Sequence, residues 1–165
     1  MSGMVAGQIP IAASATSVTS SIAPGHLPGT ATNDSAAAGQ VGEVISSVVT
    51  SGVAVATGAT ATVGSIALTA GDWDVMGEVW FAPGSTGVLS LIAALNGVAS
   101  LPGSEFLTAS LSNQTFAAAS ATYNQMAICP CRISTAGPQT MFLLASQTNG
   151  VGTTATGKIW ARRAR

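Results

Sequence analysis

The chain has 165 residues, of which 7% are charged and 5% aromatic, with a net charge of −1. Average soluble proteins carry about 25% charged residues, so a lone monomer of this composition is poorly guarded against self-association, and copies of itself or partners are expected to cover much of its surface. The near-neutral balance excludes a general pull toward nucleic acid or anionic membrane.

Residues 1–40 are low in complexity, with His26 and Asp34 their only titratable side chains. Pro10, Pro24 and Pro28 break any helix, and the segment alone cannot bury enough surface to fold. It is expected to be an extended arm lying along a neighbouring subunit or an assembly surface, anchored by Ile9, Pro10, Ile11, Ile22, His26 and Leu27. The start, Met1-Ser-Gly-Met, lacks the basic region of a signal peptide. Gly, Thr and Ser interrupt every apolar run before it reaches the ~18–20 residues of a spanning helix. The mean hydropathy of +0.49 therefore reflects diffuse Ala and Val.

From Gly42 the pattern changes to short strands with regular turn punctuation. Strands are expected at Glu43–Val49, Val53–Ala56, Val63–Leu68, Trp73–Phe81, Val88–Leu95, Phe106–Leu111, Tyr123–Ile128, Arg132–Ser134, Met141–Ser146 and Gly157–Arg163. Ala70-Gly71, Pro83-Gly84, Asn96-Gly97, Pro102-Gly103, Gly137-Pro138 and Asn149-Gly150 supply turns between them. Ala117–Ala121 could form one helical turn. Many short strands and no amphipathic helix imply an all-β sandwich or jelly roll over residues 41–165. In the strongest strand, Trp73, Val75, Gly77, Val79 and Phe81 share one face, and Asp72, Asp74, Met76, Glu78 and Trp80 the other. The first face needs a covering layer. The second mixes carboxylates with Met and Trp, which points to a subunit interface.

Three segments resemble a known group. Asn33-Asp-Ser-Ala-Ala-Ala-Gly-Gln-Val-Gly-Glu43, Leu68-Thr-Ala-Gly-Asp-Trp-Asp-Val75 and Gly157-Lys-Ile-Trp-Ala-Arg-Arg-Ala-Arg165 are similar to tailed-bacteriophage virion proteins. That group has a jelly roll like the tumour-necrosis-factor and C1q head. The resemblance implies a homotrimer used as a capsid decoration (cement) protein, a head fibre or a tail-fibre tip. The N-terminal arm lies outside it.

Candidate chemistry is sparse. Gly152-Thr-Thr-Ala-Thr-Gly-Lys158 matches most of a phosphate-binding loop, but Ile159 stands where that loop needs Ser or Thr, and no helix follows. A Gly/Thr-rich hairpin is expected there instead. His26, the only histidine, lies in the arm and could meet the fold only by docking, so no catalytic triad is expected, and the same shortage rules out most zinc sites. Asp72, Asp74 and Glu78 could suggest a metal site or a glycosidase pair, yet neighbours on one strand face lie ~7 Å apart and point in parallel rather than across a cleft. Ion pairs within or between subunits, with Arg132, Lys158, Arg162 or Arg163, are the simpler expectation. Cys129 and Cys131, at i and i+2, are expected on one strand face as two small buried residues, or meeting their copies across a symmetry axis. The sequons at Asn33 and Asn113 are expected to be chance.

The sequence thus predicts a non-enzymatic structural protein of a virion, with no cofactor, made in the host cytoplasm. Its partners are itself, the major capsid protein and other virion proteins, with neither nucleic acid nor membrane among them. A capsid decoration role is preferred over a fibre or tip binding a host receptor. Trp73, Val75, Val79, Trp80, Phe81 and Trp160 are expected at trimer or core contacts. Asp72, Asp74, Glu78, Arg132, Arg162 and Arg163 are expected in inter-subunit ion pairs.

Overall fold

The computed structural model describes residues 35–84, 87–102, 109–120 and 122–164. The proposed anchors from Ile9 to Leu27 lie outside the described residues, as do Phe106–Thr108 of one expected strand. Eight strands are described: β1 Val44–Ala54, β2 Thr60–Leu68, β3 Gly71–Ala82, β4 Val88–Asn96, β5 Ser110–Ser120, β6 Asn124–Thr135, β7 Gln139–Thr148 and β8 Thr154–Arg163. They form two four-stranded antiparallel sheets, ordered β1-β8-β3-β6 and β2-β7-β4-β5. Successive strands alternate between sheets from β1 to β4 and return in interleaved order, which makes the architecture a jelly-roll-like β-sandwich. The described residues contain no helix.

The core fills the space between the sheets. Trp73, Val75, Val79 and Phe81 of β3 are at most 1% exposed, and meet Ile159 and Ala161 of β8, Leu91 and Leu95 of β4, and Met141 and Leu143 of β7 in one apolar cluster. The period-two face of β3 is thus the inner face of one sheet. Gly157 and Gly77 leave room for Leu143 of the opposite sheet. A Cβ on Gly157 would sit 2.5 Å from the Glu78 carbonyl oxygen and 2.9 Å from Leu143 Cδ2. One on Gly77 would sit 3.0 Å from Leu143 Cδ1.

Two pairs of expected strands are single strands. Glu43–Val49 and Val53–Ala56 merge into β1, whose ladder with β8 shifts register between Val49 and Val53. Tyr123–Ile128 and Arg132–Ser134 merge into β6. Its ladder with β3 passes from Val75↔Cys131 to Gly77↔Ile128, so Cys129 and Pro130 together oppose Met76. A bulge on an edge strand is where proline, lacking an N–H, is tolerated. It also overturns the expected cysteine arrangement: the inserted residue reverses the alternation, leaving Cys129 exposed and Cys131 buried. Residues 117–120 continue β5 and form no helical turn. Gly152, at φ 72°, precedes β8, and Lys158 lies mid-strand, so the phosphate-loop pattern is a turn and a strand.

Candidate functional site

The two outward faces differ in kind. The β2-β7-β4-β5 sheet contains no Asp, Glu, Lys or Arg in any of its four strands. Its outward side places Thr62, Leu144, Ala94 and Leu111 in one cross-strand row, and Ser146, Ile92 and Asn113 in the next. Ala94 and Leu144 are fully buried, Ile92 and Phe142 half-buried, and Thr62, Leu111, Asn113 and Thr115 exposed.

The outward side of β1-β8-β3-β6 carries Asp72, Asp74, Glu78, Arg132, Lys158 and Arg162. These are six of the eleven charged residues in the chain. Ladder register sets them in rows: Val44–Arg162–Asp74–Arg132, then Ser46–Trp160–Met76, then Val48–Lys158–Glu78–Ala127, then Thr156–Trp80–Gln125. Arg132 pairs with Asp74 at 3.6 Å and approaches Asp72 at 4.0 Å within the same chain. Lys158 turns over the Trp160 ring, 5.0 Å from its centroid, an arrangement that attracts the ammonium to the ring face. Glu78 Oε2 accepts a hydrogen bond from Gln125 Nε2 at 3.1 Å. Lys158 and Glu78 are ladder partners engaged in opposite directions, and a cleft of about 380 Å³ opens beside them, walled by Val48 and Trp80. A second hollow of about 180 Å³, between Trp80 and Tyr123, shares Trp80 and Thr156 with it. Trp80 is 50% exposed and Tyr123 76%.

Arg163 points the other way. Alternation along β8 sends Arg162 out and Arg163 in, where it is 5% exposed. Its Nε donates to Glu43 Oε2 at 2.9 Å, its other nitrogens donate to the Ala70 carbonyl and Thr69 Oγ1, and its guanidinium covers the Trp73 ring at 4.3 Å. An inter-subunit pair was expected of Arg163. Its partners are intrachain because it caps the end of the sandwich core. Glu43 also accepts the Gly39 N–H at 2.7 Å, and the backbones of Glu43 and Arg163 are bonded to one another. The Gly39 N–H, together with the Arg163 guanidinium, holds the Glu43 carboxyl below its usual range despite burial. Sequence reasoning missed Glu43 because its partner is 120 residues away. The signal available was a lone carboxylate beside the turn Gly39-Gln-Val-Gly42.

Among the described residues, no group of three or more His, Cys, Asp or Glu could hold a metal ion. Asp72, Asp74 and Glu78 line up along one strand face rather than across a cleft, an arrangement unsuited to paired-carboxylate hydrolysis. No helix among the described residues is long and apolar enough to cross a membrane.

No family model matches the chain, and no curated protein matches it. Among solved structures, the chain is similar to one of the infectious bursal disease virus Gx strain, at 19% identity and TM-score 0.45, covering 74% of this chain and 32% of that one. It is similar also to the infectious bursal disease virus VP2 subviral particle, at 18% identity and TM-score 0.44, covering 73% of this chain and 30% of that one. The chain thus spans about a third of the length of either.

Proposed function

We propose that the protein is a structural subunit of a virus particle, a capsid decoration protein whose sandwich packs against its own copies and the major capsid protein through the charge-free sheet. The carrying observation is that sheet: four strands without one charged side chain, exposing Thr62, Leu111, Asn113 and Thr115 on its outer side, in a molecule whose opposite face collects six of its eleven charges. Depletion of charge is what distinguishes the centre of a protein interface from ordinary surface. The three segments that resemble tailed-phage virion proteins support the virion setting. Small side chains let neighbouring subunits approach closely, and each interface contributes at about 25 cal/mol per Å² of apolar area, repeated over many copies. In this reading the subunit is a homotrimer, and residues 1–40 form an arm that orders on docking to the shell. No step of this function calls for catalysis.

The test is copy number: quantitative mass spectrometry of purified particles against the major capsid protein. A ratio near one subunit per capsid protein is expected. A handful of copies per particle would instead mean a fibre or tip, the second reading, which the exposed Trp80 and Tyr123 favour.

A further inference from the structure

We infer that the cleft around Trp80 is a glycan-binding site for neutral sugars. The inference stands on that cleft alone, whether the subunit decorates a shell or tips a fibre. Three features meet there. First, Trp80 and Tyr123 are both exposed, and Trp80 lines both hollows. A pyranose stacks its apolar C–H face on such a ring, whose body is apolar and whose edge is polar. Second, polar groups are already positioned beside that ring. Glu78 and Gln125 are joined at 3.1 Å, and Lys158 is held over Trp160. These supply the convergent acceptors and donors that fix a ligand in an otherwise apolar cleft. Third, the charges cancel. Glu78 and Lys158 line the same cleft with opposite sign. An anionic ligand would meet the carboxylate and a cationic one the ammonium, whereas vicinal hydroxyls donate to one and accept from the other. The cleft volume of about 380 Å³ is within the range of small-ligand sites.

A second copy of the chain is the competing occupant. It would have to take Glu78 and Lys158 out of water together with Gln125, and desolvating each charge costs several kcal/mol.

The test applies the full-length protein to a microbial glycan microarray carrying neutral and anionic polysaccharides, with Trp80→Ala and Tyr123→Ala alongside. Retention on neutral glycans is expected. Trp80→Ala should weaken it by about tenfold or more. Tyr123→Ala, at a position too exposed to disturb the core, should weaken it by a smaller factor. Circular dichroism should show both variants folded. Retention on anionic glycans alone, retention that both variants leave unchanged, or no retention at all would overturn the proposal. So would a Trp80→Ala variant whose only change is a smaller assembly mass, which would assign the face to a second copy. None of these outcomes alters the copy number per particle, so this site and the virion role fail separately.

Discussion

Glu43 and Arg163 show how two residues 120 positions apart fix the start of the fold. The pair ties the end of β8 to the turn before β1, and Arg163 closes the core over Trp73. Removing one partner of a buried pair strands the other, so Arg163→Met should cost about 3–5 kcal/mol, measured by chemical denaturation. The pH dependence follows from Glu43. Its folded carboxyl titrates below its ordinary unfolded value, through the Gly39 N–H and the Arg163 guanidinium. Its contribution is therefore present above that value and lost as pH falls through the depressed folded pKa. Thermal melts of Glu43→Gln should be less stable than wild type at pH 7 and converge with it at strongly acidic pH. Unchanged separation across that range would show that the carboxylate is not the group responsible. At the same scale the two thiols separate. Burial pushes the Cys131 thiol upward, while Cys129 faces solvent. A maleimide should label Cys129 in the native protein, and Cys131 only after unfolding.

Among the elements, β3 was the most legible. Its alternation from Trp73 to Phe81 predicts a strand with one buried face, and those residues are the centre of the core. What the sequence hid were the continuities. Breaks were expected between Val49 and Val53 and between Ile128 and Arg132, where Gly52 and Pro130 stand, because glycine and proline punctuate local structure. Here a register shift and an edge bulge absorb them, both set by the ladder partner rather than by local preference. Cys129 therefore could not be placed from its spacing to Cys131. Gly157 was likewise read only as the start of a strand, when its role is to let Glu78 and Leu143 approach. Gly157→Val should overpack the sandwich and destabilise it by about 1–3 kcal/mol. An equilibrium denaturation curve unchanged by that substitution would contradict the close approach of the sheets.

At the scale of the whole molecule, composition leads one to expect a covered surface but does not say which surface. The low charge content is not spread evenly. It is a division between one sheet with no charges in its strands and another whose outward face holds most of them. That division emerges only once the jelly-roll order assigns alternate strands to different sheets. The expected ion-pairing residues other than Arg163 do share a face, together with Trp80 and Trp160, but Arg132 already meets Asp72 and Asp74 within one chain. The charge-free face is consequently the better candidate for association. Light scattering at micromolar concentration tests this most directly, comparing the wild-type protein with a Thr62→Lys/Leu111→Lys variant that places two charges on exposed positions of that face. The account predicts a trimeric mass for the wild type and a monomeric mass for a variant that stays folded. A wild-type monomer, or a variant trimer of undiminished stability, would contradict it.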